Sequence, residues 1–357
     1  MHRVAVLGAG SWGTTLAGML CSRVPTVLWA RRPEIAAHVL RHHRNPDYVT
    51  DLALPDALLA TGQLDEAVTG ADLVVMAVPS HGFRAVMAAA APHLGAAAPV
   101  VTVAKGVEQG TLQRMTEVVA ELAPGRPYAV LTGPNLAEEV GLGHPTASVV
   151  AARSGAGSDD ALACELQQLF STETFRVYTN ADLVGCELGG ALKNVMAIAS
   201  GIADGMGFGA NTRAALITRG LAELTRLGVA LGGSPMTFAG LAGMGDLVAT
   251  CMSGRSRNRW VGEQLGRGRT IAEITAGTRM VAEGVRSSLA VVELAARVGV
   301  ETPIAAEVAA VIHSGKSAAD ALASLMARVM KPEVYGLVSD PTPTTAFGPR
   351  RPPDAGA

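Results

Sequence analysis

The sequence contains few lysines and no block of basic residues. Only four of its 29 basic residues are lysines, and the formal net charge is −2 at pH 7. Without a basic block, the chain lacks the charge pattern that non-specific binding to nucleic acid requires. We therefore expect small-molecule partners and no nucleic acid.

Cysteine is equally sparse, and its spacing excludes the common cysteine sites. The four cysteines form no CxxC pair and have no histidine cluster beside them. We interpret them as reduced and mostly buried side chains, and we expect no metal. They are Cys21, Cys164, Cys186 and Cys251.

Uninterrupted hydrophobic runs are absent at membrane-spanning length. Two uncharged windows, 85–104 and 227–245, are long enough, but prolines and glycines interrupt both. The apolar run Val4 to Ala9 is too short for a secretory signal. We expect no transmembrane span and a cytoplasmic location.

The first half of the chain alternates short apolar runs with helical patterns, as is typical of a parallel sheet covered by helices. The predicted strands are Arg3 to Leu7, Thr26 to Trp29, Leu73 to Val78, Val100 to Val103 and Ala129 to Thr132. The predicted helices are Thr14 to Cys21, Pro33 to Arg41, Gly82 to Ala90 and Leu112 to Leu122. The fold class is therefore α/β.

From about Ala181 the pattern changes to long Ala/Leu/Gly segments at helical spacing. A length of 357 residues also favours two domains. We predict a dinucleotide-binding domain over 1–180, an all-helical substrate-binding domain over 181–337, and a disordered proline-rich tail over 338–357.

A GxGxxG motif, Gly8-Ala9-Gly10-Ser11-Trp12-Gly13, follows the first predicted strand and precedes a helix. In that context the glycines permit a tight turn, backbone approach to a pyrophosphate, and packing of the helix on the sheet. The helix N-terminus then faces the anion. The motif predicts dinucleotide binding, and the alternative is an ordinary structural turn.

Two arginines, Arg31 and Arg32, follow the second predicted strand, where NAD-selective enzymes commonly carry an acidic residue. Arginines here can bind a ribose 2′-phosphate, so the sequence predicts that NADP(H) is accepted as well as NAD(H). The alternative is a solvated pair in a loop. His81 follows another predicted strand and could face the nicotinamide, but we interpret it as structural.

Two of the four lysines occupy positions that indicate chemistry. Lys105 follows a predicted strand, as Gly133 does, so both project from the carboxyl edge of the sheet. Lys193 is the only charged residue between Glu187 and Asp204, within a helical pattern. Burial lowers the pKa of an ammonium towards neutrality, which suits proton exchange with a substrate oxygen. The alternative is a lysine that extends from its helix to solvent.

Asp246 is a single carboxylate in an uncharged glycine-rich stretch. A buried carboxylate needs a partner, and we predict that Lys193 provides it. Downstream, Ser256, Arg257 and Asn258 offer a hydroxyl, a guanidinium and an amide in consecutive positions, which could hold a phosphate. The alternative for this run is a polar helix cap.

Taken together and in this order, the motifs resemble those of the bacterial-type NAD(P)-dependent glycerol-3-phosphate dehydrogenases. The resemblance extends from Val4 to about Val334. It implies a Rossmann-like N-terminal domain followed by a helical domain, as in 6-phosphogluconate dehydrogenase. It also implies NAD(P)H-dependent reduction of dihydroxyacetone phosphate to sn-glycerol 3-phosphate for phospholipid synthesis. The motifs are GAGSWG, KG, GPNLAEE, ELGGALKNVMAI, NTRAALITRG, GLAGMGDL and SGRSRN.

The resemblance assigns roles position by position, with Lys193 as the proton donor or acceptor. The implied substrate contacts are Lys105, Gly133, Asn135, Lys193, Asp246, Ser256, Arg257 and Asn258. The implied cofactor contacts, beside the three motif glycines, are Ser11, Trp12, Arg31, Arg32, Tyr48, Lys105, Ala137, Arg257, Val281 and Glu283. Asn135 departs from the serine or threonine that many relatives carry, and either kind of side chain can donate a hydrogen bond.

Two other functions remain compatible with the residues alone. One is a dehydrogenase of the same plan acting on a sugar acid or hydroxy acid, and the other is a non-catalytic NADPH-binding regulator. The broad apolar faces of the Ala/Gly-rich helices also make a homodimer plausible.

Overall fold

The computed structural model describes residues 2–155, 157–276 and 282–333. Along these residues an eight-stranded sheet with flanking helices, the sheet region (4–179), precedes a region built from helices, the helical region (183–326). The last strand ends at Thr179 and the next helix begins at Leu183. The expected α/β class, with a Rossmann-like region followed by helices, is confirmed.

The strands are buried where their sequences consist of apolar and β-branched residues, such as VAVL and LVVM. Their spatial order is β3-β2-β1-β4-β5-β6-β7-β8, and Val4 pairs with Thr26 on one side and Leu73 on the other. The bounds are β1 (Val4–Leu7), β2 (Thr26–Trp29), β3 (Leu59–Thr61), β4 (Leu73–Met76), β5 (Val100–Thr102), β6 (Tyr128–Thr132), β7 (Thr146–Arg153) and β8 (Phe175–Thr179).

All five predicted strands are present with small changes at their ends, but β3, β7 and β8 were not predicted. The five predicted strands pair in parallel, as expected. The unpredicted strand β7 runs antiparallel to β6. Between Thr132 and Thr146 the chain forms only one short helix, of five residues. A parallel pair needs a longer crossover, usually a full helix, so the chain returns in the opposite direction.

Seven helices accompany the sheet and nine form the helical region of the described residues. The first group is α1 (Ser11–Cys21), α2 (Pro33–His42), α3 (Leu64–Val68), α4 (Ser80–Ala90), α5 (Met115–Leu122), α6 (Ala137–Gly141) and α7 (Asp159–Phe170). The second is α8 (Leu183–Gly205), α9 (Ala210–Ala230), α10 (Pro235–Ala239), α11 (Asp246–Met252), α12 (Arg257–Gly266), α13 (Ile271–Ala276), α14 (Glu283–Arg297), α15 (Pro303–His313) and α16 (Ala318–Met326).

The longest helix, α8, is buried along most of its 23 residues and contacts both the sheet and the other helices. Its glycines Gly201 and Gly205 face Gly262 and Gly266 of α12. A Cβ at any of these four positions would overlap a backbone carbonyl of the opposite helix. The two backbones therefore pack in direct contact, which only glycine permits.

No helix of the described residues is both long and apolar enough to cross a membrane. The cysteines are free, and three are buried, whereas Cys164 is exposed. The predicted tail, together with 334–337, lies outside the described residues.

Candidate active site

The carboxyl ends of β1, β4, β5 and β6 meet at one edge of the sheet, and the loop of the GxGxxG motif lies there. Gly8 has a φ of 118°, and a Cβ at this position would lie 2.5 Å from Ala77 O. A Cβ at Gly13 would overlap Gly8 O. Both positions therefore require glycine, as the tight turn in the motif demands.

In front of this loop the structure leaves room for a ligand. A Cβ at Gly10 would meet no atom within 4 Å, and Gly10 caps α1 without a side-chain hydrogen bond to the helix. The first bond within the helix is donated by Thr14 N to Gly10 O, so the N–H groups of Ser11, Trp12 and Gly13 precede it and are available to a ligand. An exposed helix N-terminus behind a glycine loop fits the pyrophosphate of a dinucleotide.

The loop after α2 is joined to the glycine loop by Asn45, a buried residue that sequence reasoning missed. Its Nδ2 donates to Ala9 O and Thr14 Oγ1, both at 2.9 Å. Its Oδ1 accepts from the backbone N of Asp47 and Tyr48 at 3.0 and 3.1 Å. Asn45 thus holds Tyr48, which is 37% exposed, beside the glycine motif.

The other predicted cofactor contacts lie around the same edge. Arg31 is exposed, and Arg32 forms an ion pair with Asp47. Trp12 packs its ring against Phe175, with centroids 6.0 Å apart, and its buried indole N–H has no hydrogen-bond partner among the described residues. Ala137 begins α6, and Val281 lies outside the described residues.

Lys193, 4% exposed in the middle of α8, carries the predicted ion pair. Its Nζ donates to Asp246 Oδ1 and, at 2.6 Å, to Thr250 Oγ1. The other carboxylate oxygen of Asp246 lies 2.9 Å from Lys105 Nζ. The pair with Lys193 is confirmed, and Asp246 also joins it to the lysine at the end of β5.

Lys105 is held by the segment that follows β6. Its Nζ donates to Gly133 O at 2.9 Å and to Asn135 Oδ1. Gly133 has a φ of 132°, and a Cβ there would lie 3.1 Å from Ser148 Cα. Only glycine is free to take this conformation, which aims the carbonyl at the ammonium.

Burial lowers the pKa of Lys193 to about 7; the carboxylate of Asp246 opposes this shift and the ammonium of Lys105 adds to it. Both protonation states of Lys193 are therefore populated near neutral pH, which suits an acid and base in one reversible reaction. The alternative of a lysine extending to solvent is excluded by its burial.

A series of side-chain amides connects the helical region to Lys105. Gly284 N donates to Asn258 Oδ1 at 2.9 Å, and Asn258 Nδ2 donates to Asn194 Oδ1 at 2.9 Å. Asn194 Nδ2 in turn donates to the backbone O of Lys105 at 3.3 Å. Sequence reasoning missed Asn194, although a polar residue beside Lys193 in an apolar helix was the available signal.

Glu283, an expected cofactor contact, begins α14 just before this series. Burial raises the pKa of its carboxyl, and the charges of Arg257, Lys105 and Lys193 oppose the shift. The carboxyl of Glu283 therefore interacts electrostatically with both lysines of the site.

The three residues of the predicted phosphate site have different surroundings in the structure. Ser256 is the N-cap of α12, and its Oγ accepts from Arg259 N at 3.2 Å, so the helix-cap alternative is correct for this residue. Asn258 is engaged in the amide series. Arg257 is exposed at the helix N-terminus. The Ser256 hydroxyl keeps its hydrogen to donate, so an anion can still bind there with Arg257.

Three buried polar atoms beside Gly133 have no hydrogen-bond partner among the described residues. They are Thr132 Oγ1, Asn135 Nδ2 and Ser148 Oγ. Unpaired buried polar groups are rare and costly, and a cluster of them fits a polar ligand. Thr132 and Ser148 were not predicted, because nothing in their local sequence separates them from other strand residues.

A Rossmann-type sheet with a titratable lysine buried where the helices meet its edge is the plan of a two-domain nicotinamide-dependent dehydrogenase. Residues 3–157 match the family model described as the N-terminus of NAD-dependent glycerol-3-phosphate dehydrogenase. Residues 182–323 match the model of its C-terminus.

Curated relatives and a solved structure agree with these models. The chain is 51% identical to glycerol-3-phosphate dehydrogenase [NAD(P)+] 2 of Sphingopyxis alaskensis, over 91% of this chain and 96% of the relative. It is 50% identical to glycerol-3-phosphate dehydrogenase [NAD(P)+] of Mycobacterium avium, over 94% and 97%. The crystal structure of glycerol-3-phosphate dehydrogenase from Coxiella burnetii is 36% identical, with a TM-score of 0.87, over 92% and 99%. This chain belongs to the NAD-dependent glycerol-3-phosphate dehydrogenase family.

Proposed function

We propose that the protein reduces dihydroxyacetone phosphate to sn-glycerol 3-phosphate with NADH or NADPH, and catalyses the reverse reaction. The observation that carries the proposal is the buried Lys193, joined through Asp246 to Lys105 at the edge where the glycine loop fits a dinucleotide. Membership of the family supplies the substrate.

When bound, the nicotinamide cofactor supplies the hydride that reaches C2 of the ketone. Lys193 gives its proton to the ketone oxygen, which becomes the hydroxyl of the product. Asp246 keeps Lys193 in place and favours its charged form. The ammonium of Lys105 stabilises negative charge on the same oxygen.

The substrate phosphate binds at the N-terminus of α12, where Arg257 is exposed and Ser256 has a hydrogen to donate. The unpaired atoms of Thr132, Asn135 and Ser148 give the remaining polar groups of the substrate their partners. Both parts of the chain therefore contribute to one substrate site.

The test follows the loss of nicotinamide absorbance when dihydroxyacetone phosphate is added with NADH or NADPH. Lys193→Ala removes the proton donor and should lower kcat by roughly 10²- to 10⁴-fold. Lys316→Ala is the control and should leave kcat unchanged. Lys316 pairs with Glu307, and both residues follow all the proposed site residues in the sequence.

Normal turnover by Lys193→Ala would refute this role for the lysine. A non-phosphorylated ketone serves as the substrate control, because its turnover would favour a dehydrogenase of sugar acids or hydroxy acids. Binding of NADPH without turnover of either ketone would favour a regulator.

We further infer a domain boundary near residue 181, with the cofactor bound by 1–180 and the substrate mainly by 181–337. The end of β8 at Thr179 and the start of α8 at Leu183 support it. The homodimer, the cytoplasmic location and the supply of phospholipid synthesis remain predictions.

A further inference from the structure

Two arginines and a histidine from three separate elements approach one another at the cofactor edge. Arg31 follows β2, His81 lies in the first turn of α4, and Arg286 lies in the first turn of α14. Burial and then the charges of Arg286 and Arg31 lower the pKa of His81. Both arginine charges favour the neutral form of the imidazole, although one arginine belongs to the sheet region and the other to the helical region.

The contacts of neighbouring residues place the first turn of α14, which carries Arg286, beside the start of α4, which carries His81. A Cβ at Gly106 would lie 2.6 Å from Ser80 Oγ and 3.9 Å from Ser287 Oγ, so the residues beside His81 and Arg286 flank one glycine. Gln109 Nε2 donates to the backbone O of Arg286 at 3.1 Å. The loop after β5 thus fixes the first turn of α14 against the start of α4.

The two arginines of this cluster have no ion-pair partner within the part of the chain that the structure describes. There, neither Arg31 nor Arg286 forms an ion pair, whereas Arg32 is paired with Asp47 and Arg297 with Glu293. Like charges that gather without a carboxylate repel one another, and an anionic ligand relieves that repulsion. Their position beside a dinucleotide site identifies the chemistry of the anion as a phosphate.

We propose that Arg286 of the helical region completes, with Arg31 and His81, a binding site for the 2′-phosphate of NADP(H). The end of β2 is where a Rossmann-type sheet receives the adenosine ribose, and only NADP(H) carries a phosphate on that ribose. His81, previously interpreted as structural, then belongs to cofactor recognition. The proposal rests on the dinucleotide binding in the proposed function, and it makes the helical region a determinant of cofactor choice.

The test measures dissociation constants by calorimetry for NADPH, NADH, 2′,5′-ADP and 5′-AMP. Arg286→Ala should raise the dissociation constants of NADPH and 2′,5′-ADP about tenfold, which corresponds to about 1.4 kcal/mol. It should change the dissociation constants of NADH and 5′-AMP less than about twofold. Arg286→Lys should retain part of the preference, because it keeps the charge but loses the planar fork. Arg297→Ala, on the same helix, is the matched control and should change none of them.

Equal weakening of NADPH and NADH would overturn the proposal, because the cations would then bind the pyrophosphate that both cofactors share. Unchanged binding of all four ligands would overturn it as well. Failure of the proposed function is separate, because it would appear as absent turnover of dihydroxyacetone phosphate by the unaltered protein. The 2′,5′-ADP and 5′-AMP measurements need no ketone and remain decisive in that event.

Discussion

At the scale of single residues, the site depends on one carboxylate, that of Asp246, which contacts two lysines. Asp246 is 2% exposed and reaches Lys193 with one oxygen and Lys105 with the other. Replacing it leaves two ammonium groups near each other without the carboxylate that they share, which disfavours the protonated form of the more buried one. The state of Lys193 at neutral pH therefore depends on Asp246.

This dependence predicts opposite pH profiles for the two directions of the reaction. Reduction needs protonated Lys193, whose pKa is about 7, so kcat/KM for dihydroxyacetone phosphate should fall as the pH rises through about 7. Oxidation needs the free amine, so kcat/KM for sn-glycerol 3-phosphate should rise over the same range. Steady-state rates between pH 5.5 and 9 (roughly the range in which such a group titrates) measure both.

Asp246→Asn should move both inflections to lower pH, because the carboxylate raises the pKa of Lys193. Asp204→Asn is the control, since Asp204 lies on the same helix but pairs with Arg259 and Arg213. An inflection that stayed in place in Asp246→Asn would show that the carboxylate does not set the protonation of Lys193.

Some contacts between residues of the site could be predicted from the sequence, and others could not. The pairing of Lys193 with Asp246 could be predicted, because two isolated opposite charges in apolar segments must meet. The bond from Asn194 to Lys105 O could not, because it depends on how α8 is placed against the loop after β5. Ser256 shows the same limit, since a hydroxyl before a helix can cap it, bind an anion or do both.

At the scale of elements, the packing of α8 on α12 depends on glycines that face each other. A Cβ at Gly262 would overlap Ile198 O, and one at Gly201 would overlap Arg259 O. Backbone atoms cannot move aside as a side chain can, so the two helices must separate to admit a methyl group. The site lysine lies on one of these two helices.

Gly262→Ala should therefore destabilise the protein by about 1–3 kcal/mol, the usual cost of overpacking a buried position. Thermal or urea unfolding of the variant measures the change in the free energy of unfolding. Gly254→Ala is the control, because a Cβ there meets no atom within 4 Å. Equal stability of the two variants would mean that the helices are not held in backbone contact.

Elements that sequence reasoning missed share a physical cause. The strands β1, β2 and β4 are apolar runs buried on both faces, and they were predicted. Strand β8, FRVYT, lies at the sheet edge with alternate residues exposed, and β3 is a three-residue edge strand. Strand β7 contains three alanines, which favour helix in isolation, and only its partners β6 and β8 determine its conformation.

At the scale of the whole molecule, activity requires the helical region to lie against the sheet in one position. The sequence indicated two regions and the fold class of each. It did not indicate which surfaces of the two regions contact each other. Gly190 of α8 forms part of that face: a Cβ there would lie 2.8 Å from Thr132 Oγ1 and 3.4 Å from Lys105 Cγ. The absence of a side chain lets α8 bring Lys193 to the lysine at the sheet edge.

Gly190→Val should push α8 away from the sheet and separate Lys193 and Asp246 from Lys105. A displacement of about 1 Å can cost roughly 10²-fold in rate, so kcat/KM for dihydroxyacetone phosphate should fall by about that factor. The dissociation constant of NADH should change little, because the glycines of the loop that fits its pyrophosphate pack against Ala77 of the sheet region.

Gly262→Ala separates this effect from lost stability, since it strains the same helix at its contact with α12 and not with the sheet. At a temperature where both variants are folded, Gly190→Val should lose far more kcat/KM than Gly262→Ala. Equal losses would indicate that strain anywhere in α8 disturbs the site. A specific loss in Gly190→Val would indicate that the junction of the two regions, rather than either region alone, assembles the site.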